Sequence, residues 1–143
     1  MAIPLEGGCL CGRHRYEISG PPRVVTHCLC GTCRRASGGT LVTWVTVAPE
    51  HFRWTTTEPD YYASSPDARR GFCAACGTSL SFQRDGREVE IDVTAASLDD
   101  PEKLHPVDHI WGAFRLSWSP LAPDLPILEK SHWHHGYPDE DKA

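Results

Sequence analysis

From Thr40 to Val47 the chain reads Thr-Leu-Val-Thr-Trp-Val-Thr-Val, a run of β-branched and aromatic residues with no charge in it. Such a run suits a strand packed on both faces. A different pattern comes later, where Val89, Ile91 and Val93 alternate with Glu88, Glu90 and Asp92. That alternation predicts a half-buried strand with one core face and one wet or functional face, on which Asp92 and Thr94 carry no assigned role. Asp85-Gly86 favours the tight turn of a hairpin, so Ser79 to Arg84 and Glu88 to Thr94 are expected to pair antiparallel. Gly20-Pro21-Pro22 closes a first strand-like segment, and Pro49, Pro59 and Pro66 punctuate the next part of the chain at strand-sized intervals. Helical periodicity is scarce. A turn beginning in the Cys30 to Arg35 loop would end at Ala36-Ser37-Gly38-Gly39, and Ser97-Leu98-Asp99-Asp100-Pro101 reads as the cap and first turn of a brief helix through Leu104. The expected fold is mostly β, an antiparallel sheet with few short helices. One domain is expected over residues 1–130, followed by a polar, histidine-containing tail over 131–143.

The chain has 143 residues, a formal charge of −5 and a pI near 5.9. That balance leaves no electrostatic footprint for nucleic acid. Arg13/His14/Arg15, Arg34/Arg35 and Arg69/Arg70 are the only basic clusters, and short pairs of this kind read as solvated surface. The longest apolar run, Leu41 to Ala48, is interrupted by threonines and falls well short of a membrane span. With no secretory pattern at Met1 to Glu6, the expectation is a soluble, cytoplasmic protein with no nucleic-acid or membrane partner.

The chemistry lies in seven cysteines, grouped as Cys9-x-Cys11, Cys28-x-Cys30-x-x-Cys33 and Cys73-x-x-Cys76. On an extended segment residues i and i+2 point to one face, so Cys9/Cys11 and Cys28/Cys30 can each aim two sulfurs at one ion. Cys73-Ala-Ala-Cys76-Gly77 does the same from a tight bend, with glycine where a bend needs conformational freedom. Two pairs make a four-thiolate site, and the trio makes a three-thiolate site with an open corner. Structural zinc sites are closed, whereas catalytic ones keep a position for water or substrate. A second reading closes the trio with His27, His14 or a distant histidine, making both sites structural. Disulfides fit poorly, given the odd count and pairs too close in sequence to staple a fold.

Gly8-Cys9-Leu10-Cys11-Gly12, Arg15-Tyr16-Glu17, His27 through Gly38, Arg70-Gly71-Phe72-Cys73-Ala74-Ala75-Cys76-Gly77-Thr78 and Ala96-Ser97-Leu98-Asp99-Asp100-Pro101 together resemble the glutathione-dependent formaldehyde-activating enzyme family, which also includes centromere protein V. The resemblance runs from about Gly7 to Trp111. It implies a zinc-stapled, mostly antiparallel β fold, with one structural zinc on Cys9, Cys11, Cys73 and Cys76. A second, catalytic zinc falls on Cys28, Cys30 and Cys33. The implied activity is condensation of formaldehyde with glutathione to S-hydroxymethylglutathione, a carbon-sulfur lyase reaction written in reverse. One departure is visible: members often carry histidine between the first two cysteines of the trio, and this chain has Leu29.

Three thiolates leave Zn²⁺ electron-rich and suited to holding a soft ligand, so the site favours activating a substrate thiol for addition to an aldehyde. Arg34 and Arg35 follow Cys33 and are candidates to bind a carboxylate of glutathione, or simply to offset the thiolates. His105 and His109 are candidates to move the released proton. Trp44, Trp54, Trp111 and Trp118 are expected in the core or pocket wall. His132, His134 and His135 in the tail are left out of the site, since a His-rich tract is only compositional. The leading expectation is a zinc-dependent carbon-sulfur lyase resembling S-(hydroxymethyl)glutathione synthase. The alternatives are a non-catalytic zinc-stapled binding module and a thiol redox sensor.

Overall fold

The computed structural model describes residues 3–85 and 89–132. Its strands in chain order are β1 (Leu5–Gly8), β2 (Arg15–Ile18), β3 (Val24–Cys28), β4 (Val42–Val47), β5 (Phe52–Trp54), β6 (Asp60–Ser65), β7 (Ala68–Phe72), β8 (Ser79–Arg84), β9 (Ile91–Thr94) and β10 (Asp108–Ile110). Among the described residues one α-helix, α1 (Gly31–Ser37), lies between β3 and β4, and the other helical pieces are single 3₁₀ turns. The protein is mostly β, as the punctuation by proline and glycine predicts.

Two sheets form. A three-stranded sheet has the order β1-β2-β5, and a seven-stranded one has the order β10-β3-β4-β9-β8-β7-β6. All pairings are antiparallel except β10 with β3, which is parallel. The apolar core joins Leu5, Tyr16 and Ile18 of the small sheet to Val25, Val45, Val47, Ile91 and Val93 of the large one. By the two-residue period of a strand, the neighbours of those positions turn to the opposite face of the large sheet. There Val24, Thr26 and Cys28 of β3, Trp44 and Thr46 of β4, Asp92 of β9 and Phe82 of β8 line a common pocket. β4, between β3 and β9, is covered on both faces, which is why its sequence lacks a polar side.

The helical turn predicted after Cys30 is α1. Cys30 is its N-cap and Gly38 its C-cap, at φ 74°, a left-handed conformation that glycine adopts without steric cost. The brief helix predicted through Leu104 is a 3₁₀ turn, Pro101–Lys103, while Ser97 ends a separate turn, Ala95–Ser97.

β8 and β9 pair as expected, but not through a two-residue turn. Ser81 faces Val93 and Phe82 faces Asp92, a register that leaves a longer connection than Asp85-Gly86 alone. Gly86 and Glu88 lie outside the described residues, and β9 begins at Ile91 rather than Glu88. Val89, expected on the core face, is 59% exposed because the connection carries it past the end of the sheet. Trp118, expected in the core or pocket wall, is also on the surface, at 72% exposure.

Candidate functional site

All seven cysteines are free thiols, and they gather into two clusters. In each, the sulfurs lie within 4.8 Å of one another: Cys9, Cys11, Cys73 and Cys76 in one, Cys28, Cys30 and Cys33 in the other. No histidine joins either cluster among the described residues. His14 turns its Nδ1 to the carbonyl of Thr57 at 2.9 Å, and His27 turns its own to Thr43 Oγ1 at 2.7 Å.

The four-cysteine cluster is built from two matching turns. Cys9-Leu10-Cys11-Gly12 follows β1 as a turn rather than as extended chain, closed by Gly12 N–H donating to the Cys9 carbonyl, with Gly12 at φ 80°. Cys73-Ala74-Ala75-Cys76-Gly77 follows β7, closed by Gly77 N–H on the Cys73 carbonyl, with Gly77 at φ 81°. Thr78 ties them together: it accepts from Leu10 N–H at 3.0 Å and sits 3.3 Å from Cys76 Sγ. The contact with Thr78 pulls the Cys76 thiol down to about 5. Sulfurs on a tetrahedral zinc at its usual bond length stand about 3.8 Å apart. Cys9 and Cys11 are 3.6 Å apart, and Cys11 and Cys73 are 3.7 Å apart. The donor set and spacing therefore fit such an ion.

The trio is local. Cys28 ends β3, and Cys30 caps α1 through the Cys33 N–H, 3.3 Å from its sulfur. Only Cys28 is on a strand, so the two-residue spacing works here across a strand-to-helix corner. All three are buried. The Cys30 thiol is held far below its ordinary value, first by Cys28 and then by Cys33, while Cys28 is driven well above it by Cys30, by Cys33 and by burial. Three buried sulfurs this close together resist carrying negative charge at once, and a divalent ion removes that penalty. The trio thus fits a metal by its charge as well as its spacing.

The trio opens on a pocket of about 140 Å³, and none of the other four cysteines lines it. Trp44, Phe82, Ile110 and Trp111 supply apolar wall, Arg70 and Arg84 supply cations, and Asp92 and His132 supply groups that can carry a proton. Arg70 is 8% exposed, against the solvated surface expected for Arg69/Arg70, because alternation along β7 sends Arg69 out and Arg70 in. Its guanidinium carbon lies 4.8 Å from the Phe82 ring centroid, its Nη atoms reach Cys33 Sγ at 3.8 Å, and its Nε is buried with no partner among the described residues. Burial pushes the Asp92 carboxyl up to about 7, while Thr46 Oγ1 donates to it.

Arg34 and Arg35 ride on the last turn of α1, outside the pocket wall. His105 is exposed and away from the pocket. His109 is fully buried with both ring nitrogens engaged, Nδ1 donating to the Pro126 carbonyl and Nε2 accepting from Ala122 N–H. It pins the chain beyond β10 and has no nitrogen left to move a proton. Arg70 and Asp92 are pocket residues to which the sequence reading gave no role in the site, and His132, which it left out with the other tail histidines, lines the pocket as well. Alternation on β7 and β9 offered a signal for the first two; nothing local offered one for His132.

The sequence profile of the family described as "Glutathione-dependent formaldehyde-activating enzyme" matches residues 4–113. A protein of Halomonas elongata named "Putative glutathione-dependent formaldehyde-activating enzyme" is 29% identical, over 97% of this chain and 92% of its own length. In fold the chain is similar to a crystal structure of a Rhodobacter sphaeroides protein, with a TM-score of 0.57 and 22% identity, covering 85% of this chain and 98% of the other. With the profile spanning every cysteine of both clusters, the chain belongs to the glutathione-dependent formaldehyde-activating enzyme family.

Proposed function

We propose that the protein is a zinc-dependent carbon-sulfur lyase of the S-(hydroxymethyl)glutathione synthase type, joining a thiol to an aldehyde at the pocket beside Cys28, Cys30 and Cys33. The observation that carries the proposal is the unequal placing of the two clusters: three sulfurs open on a cavity, four do not. Cys9, Cys11, Cys73 and Cys76 would hold a structural zinc, and Cys28, Cys30 and Cys33 a catalytic one. Bound at the trio, zinc supplies a Lewis acid that keeps a substrate thiol deprotonated yet nucleophilic near neutral pH.

The chain's own residues supply the rest. Arg70, with a buried N–H awaiting an acceptor, suits one carboxylate of an anionic thiol such as glutathione. Arg34 and Arg35, just beyond Cys33, are left to a carboxylate held at the rim. Trp44, Phe82 and Trp111 keep water from the reacting carbon, which strengthens every charge interaction in the pocket.

Exchange NMR tests this directly. Zinc-replete protein at low concentration should bring glutathione and formaldehyde to equilibrium with the hydroxymethyl adduct faster than buffer does, and Cys30→Ser should abolish the acceleration. Glutathione binding without acceleration would favour a binding module. An absence of both, with a reversible disulfide forming in the trio, would favour the redox sensor.

A further inference from the structure

The end of the described chain carries a group that the proposed chemistry needs. His132 lies beyond residues 4–113, the stretch matched by the family profile, and outside every cysteine motif. Yet it lines the pocket with the trio. Its Nε2 is 2.5 Å from Asp108 Oδ2, and the other carboxylate oxygen, Oδ1, accepts from Thr26 Oγ1, also at 2.5 Å. Asp108 is buried on β10, directly across from Thr26 on β3. Thr26 and Cys28 are two residues apart on the same face of β3, about 7 Å by the rise of a strand. Asp108 is thus paired one strand repeat from Cys28, and the imidazole it holds lies in the same pocket wall as the trio, where it can meet a thiol seated in the pocket directly or through one water.

Asp108 accepts from Thr26 through Oδ1 and from the Nε2–H of a neutral His132 through Oδ2, which leaves the imidazole lone pair on Nδ1. This is the arrangement by which a carboxylate fixes the tautomer of a general base. His109 has both nitrogens bonded and position 29 holds a buried leucine, so His132 is the histidine of the pocket; Asp92, the other proton-carrying group there, already accepts from Thr46 Oγ1.

We infer that His132 is the proton carrier of thiol-aldehyde adduct formation, with Asp108 as its positioning residue. The inference rests on the function proposed above. The thiol proton passes to His132 Nδ1. The sulfur lone pair forms the C–S bond as the C=O π pair moves onto oxygen, and the imidazolium returns the proton to that oxygen. No atom is oxidised or reduced, and the reverse reaction runs through the same two groups. The charged groups facing His132 are Asp108 beside it and, across the pocket, Arg70, Arg84, Asp92 and the thiol trio.

The test compares wild type, His132→Gln and Asp108→Asn, all zinc-replete, with glutathione and formaldehyde. His132→Gln removes the titrating group, and the rate should fall at least 100-fold with KM for glutathione changed less than threefold. Its acidic limb in the pH-rate profile should disappear. Asp108→Asn keeps an acceptor for Thr26 but presents an N–H to Nε2, which moves the imidazole proton to Nδ1. The rate should fall although His132 remains, and NMR titration should show its pKa lowered relative to wild type. If wild type accelerates the reaction and His132→Gln keeps both rate and acidic limb, the proton-carrier role is overturned while the function stands. Unchanged tautomer and pKa in Asp108→Asn would overturn the role of Asp108. Failure of wild type itself to accelerate adduct formation would remove the function, and the role of His132 with it.

Discussion

Replacing Cys73 by serine should damage the fold far more than replacing Cys30 by serine, and the structure gives the sizes. The four-cysteine cluster ties the turn after β1 to the turn after β7, with Cys11 and Cys73 separated by 62 residues. Treated as a cross-link, closing such a loop removes about 4 kcal/mol of chain entropy from the unfolded state. Cys73 is also fully buried within the apolar core, where a serine hydroxyl adds a further cost of about 1 kcal/mol or more. The trio closes a loop of only a few residues, for which the same relation gives about 2 kcal/mol. Serine, moreover, is a strong N-cap and would take over the Cys33 N–H that Cys30 now accepts. At roughly 3 °C per kcal/mol for a chain of this size, Tm should fall by roughly 15 °C for Cys73→Ser and roughly 6 °C for Cys30→Ser. Calorimetry in zinc-replete buffer measures both. A strong chelator should bring wild type down toward Cys73→Ser, since the cross-link is the metal itself. Equal losses in the two variants, or a larger loss for Cys30→Ser, would refute the division into a cross-linking site and a local one.

Elemental analysis of protein made with ample zinc should give two zinc ions per chain, and Cys30→Ser should retain one; a single ion in wild type that persists after zinc is added back would contradict the open site. Asp92 should make folding stability depend on pH. Its folded pKa, about 7, lies above its ordinary value of 3.8, so its protonated form favours the native state. Stability from this group is present below about pH 4 and lost as pH rises toward 7, by at most about 4 kcal/mol. Urea melts should therefore show Asp92→Asn gaining on wild type across that interval, and parallel curves would rule the effect out. Arg70→Met keeps apolar contact with Phe82 but removes the buried donors, and should weaken glutathione binding tenfold or more by calorimetric titration. Arg34→Ala, outside the pocket wall, should cost less; the reverse order would move the carboxylate site to α1.

The strands of this protein are legible in its sequence because strand burial repeats every two residues and the breaks fall on glycine and proline. Val42–Val47 reads as a two-sided strand and proves to be a central one; Ile91 and Val93 read as core and are core. The grouping of the cysteines is legible for a related reason. Each pair or trio is confined to a few residues, so its sulfurs meet whatever the rest of the chain does, and the structure then sets Cys9 and Cys11 against Cys73 and Cys76. What the sequence could not decide is which polar residues face inward. Along a strand the polar side is read as the wet side, but here that side of the large sheet forms the pocket wall, which makes Arg70 and Asp92 pocket residues instead of surface ones. Val89 and Trp118 fail in the opposite direction, apolar residues left outside because the chain around them departs from the sheet. His132 is the clearest case. Its partner, Asp108, lies 24 residues away, and only the parallel pairing of β10 with β3 places that carboxylate next to Thr26 and so near Cys28. Periodicity and spacing report what a residue does within its own segment; a polar group's burial depends on a partner brought from elsewhere, and that is a property of the assembled fold.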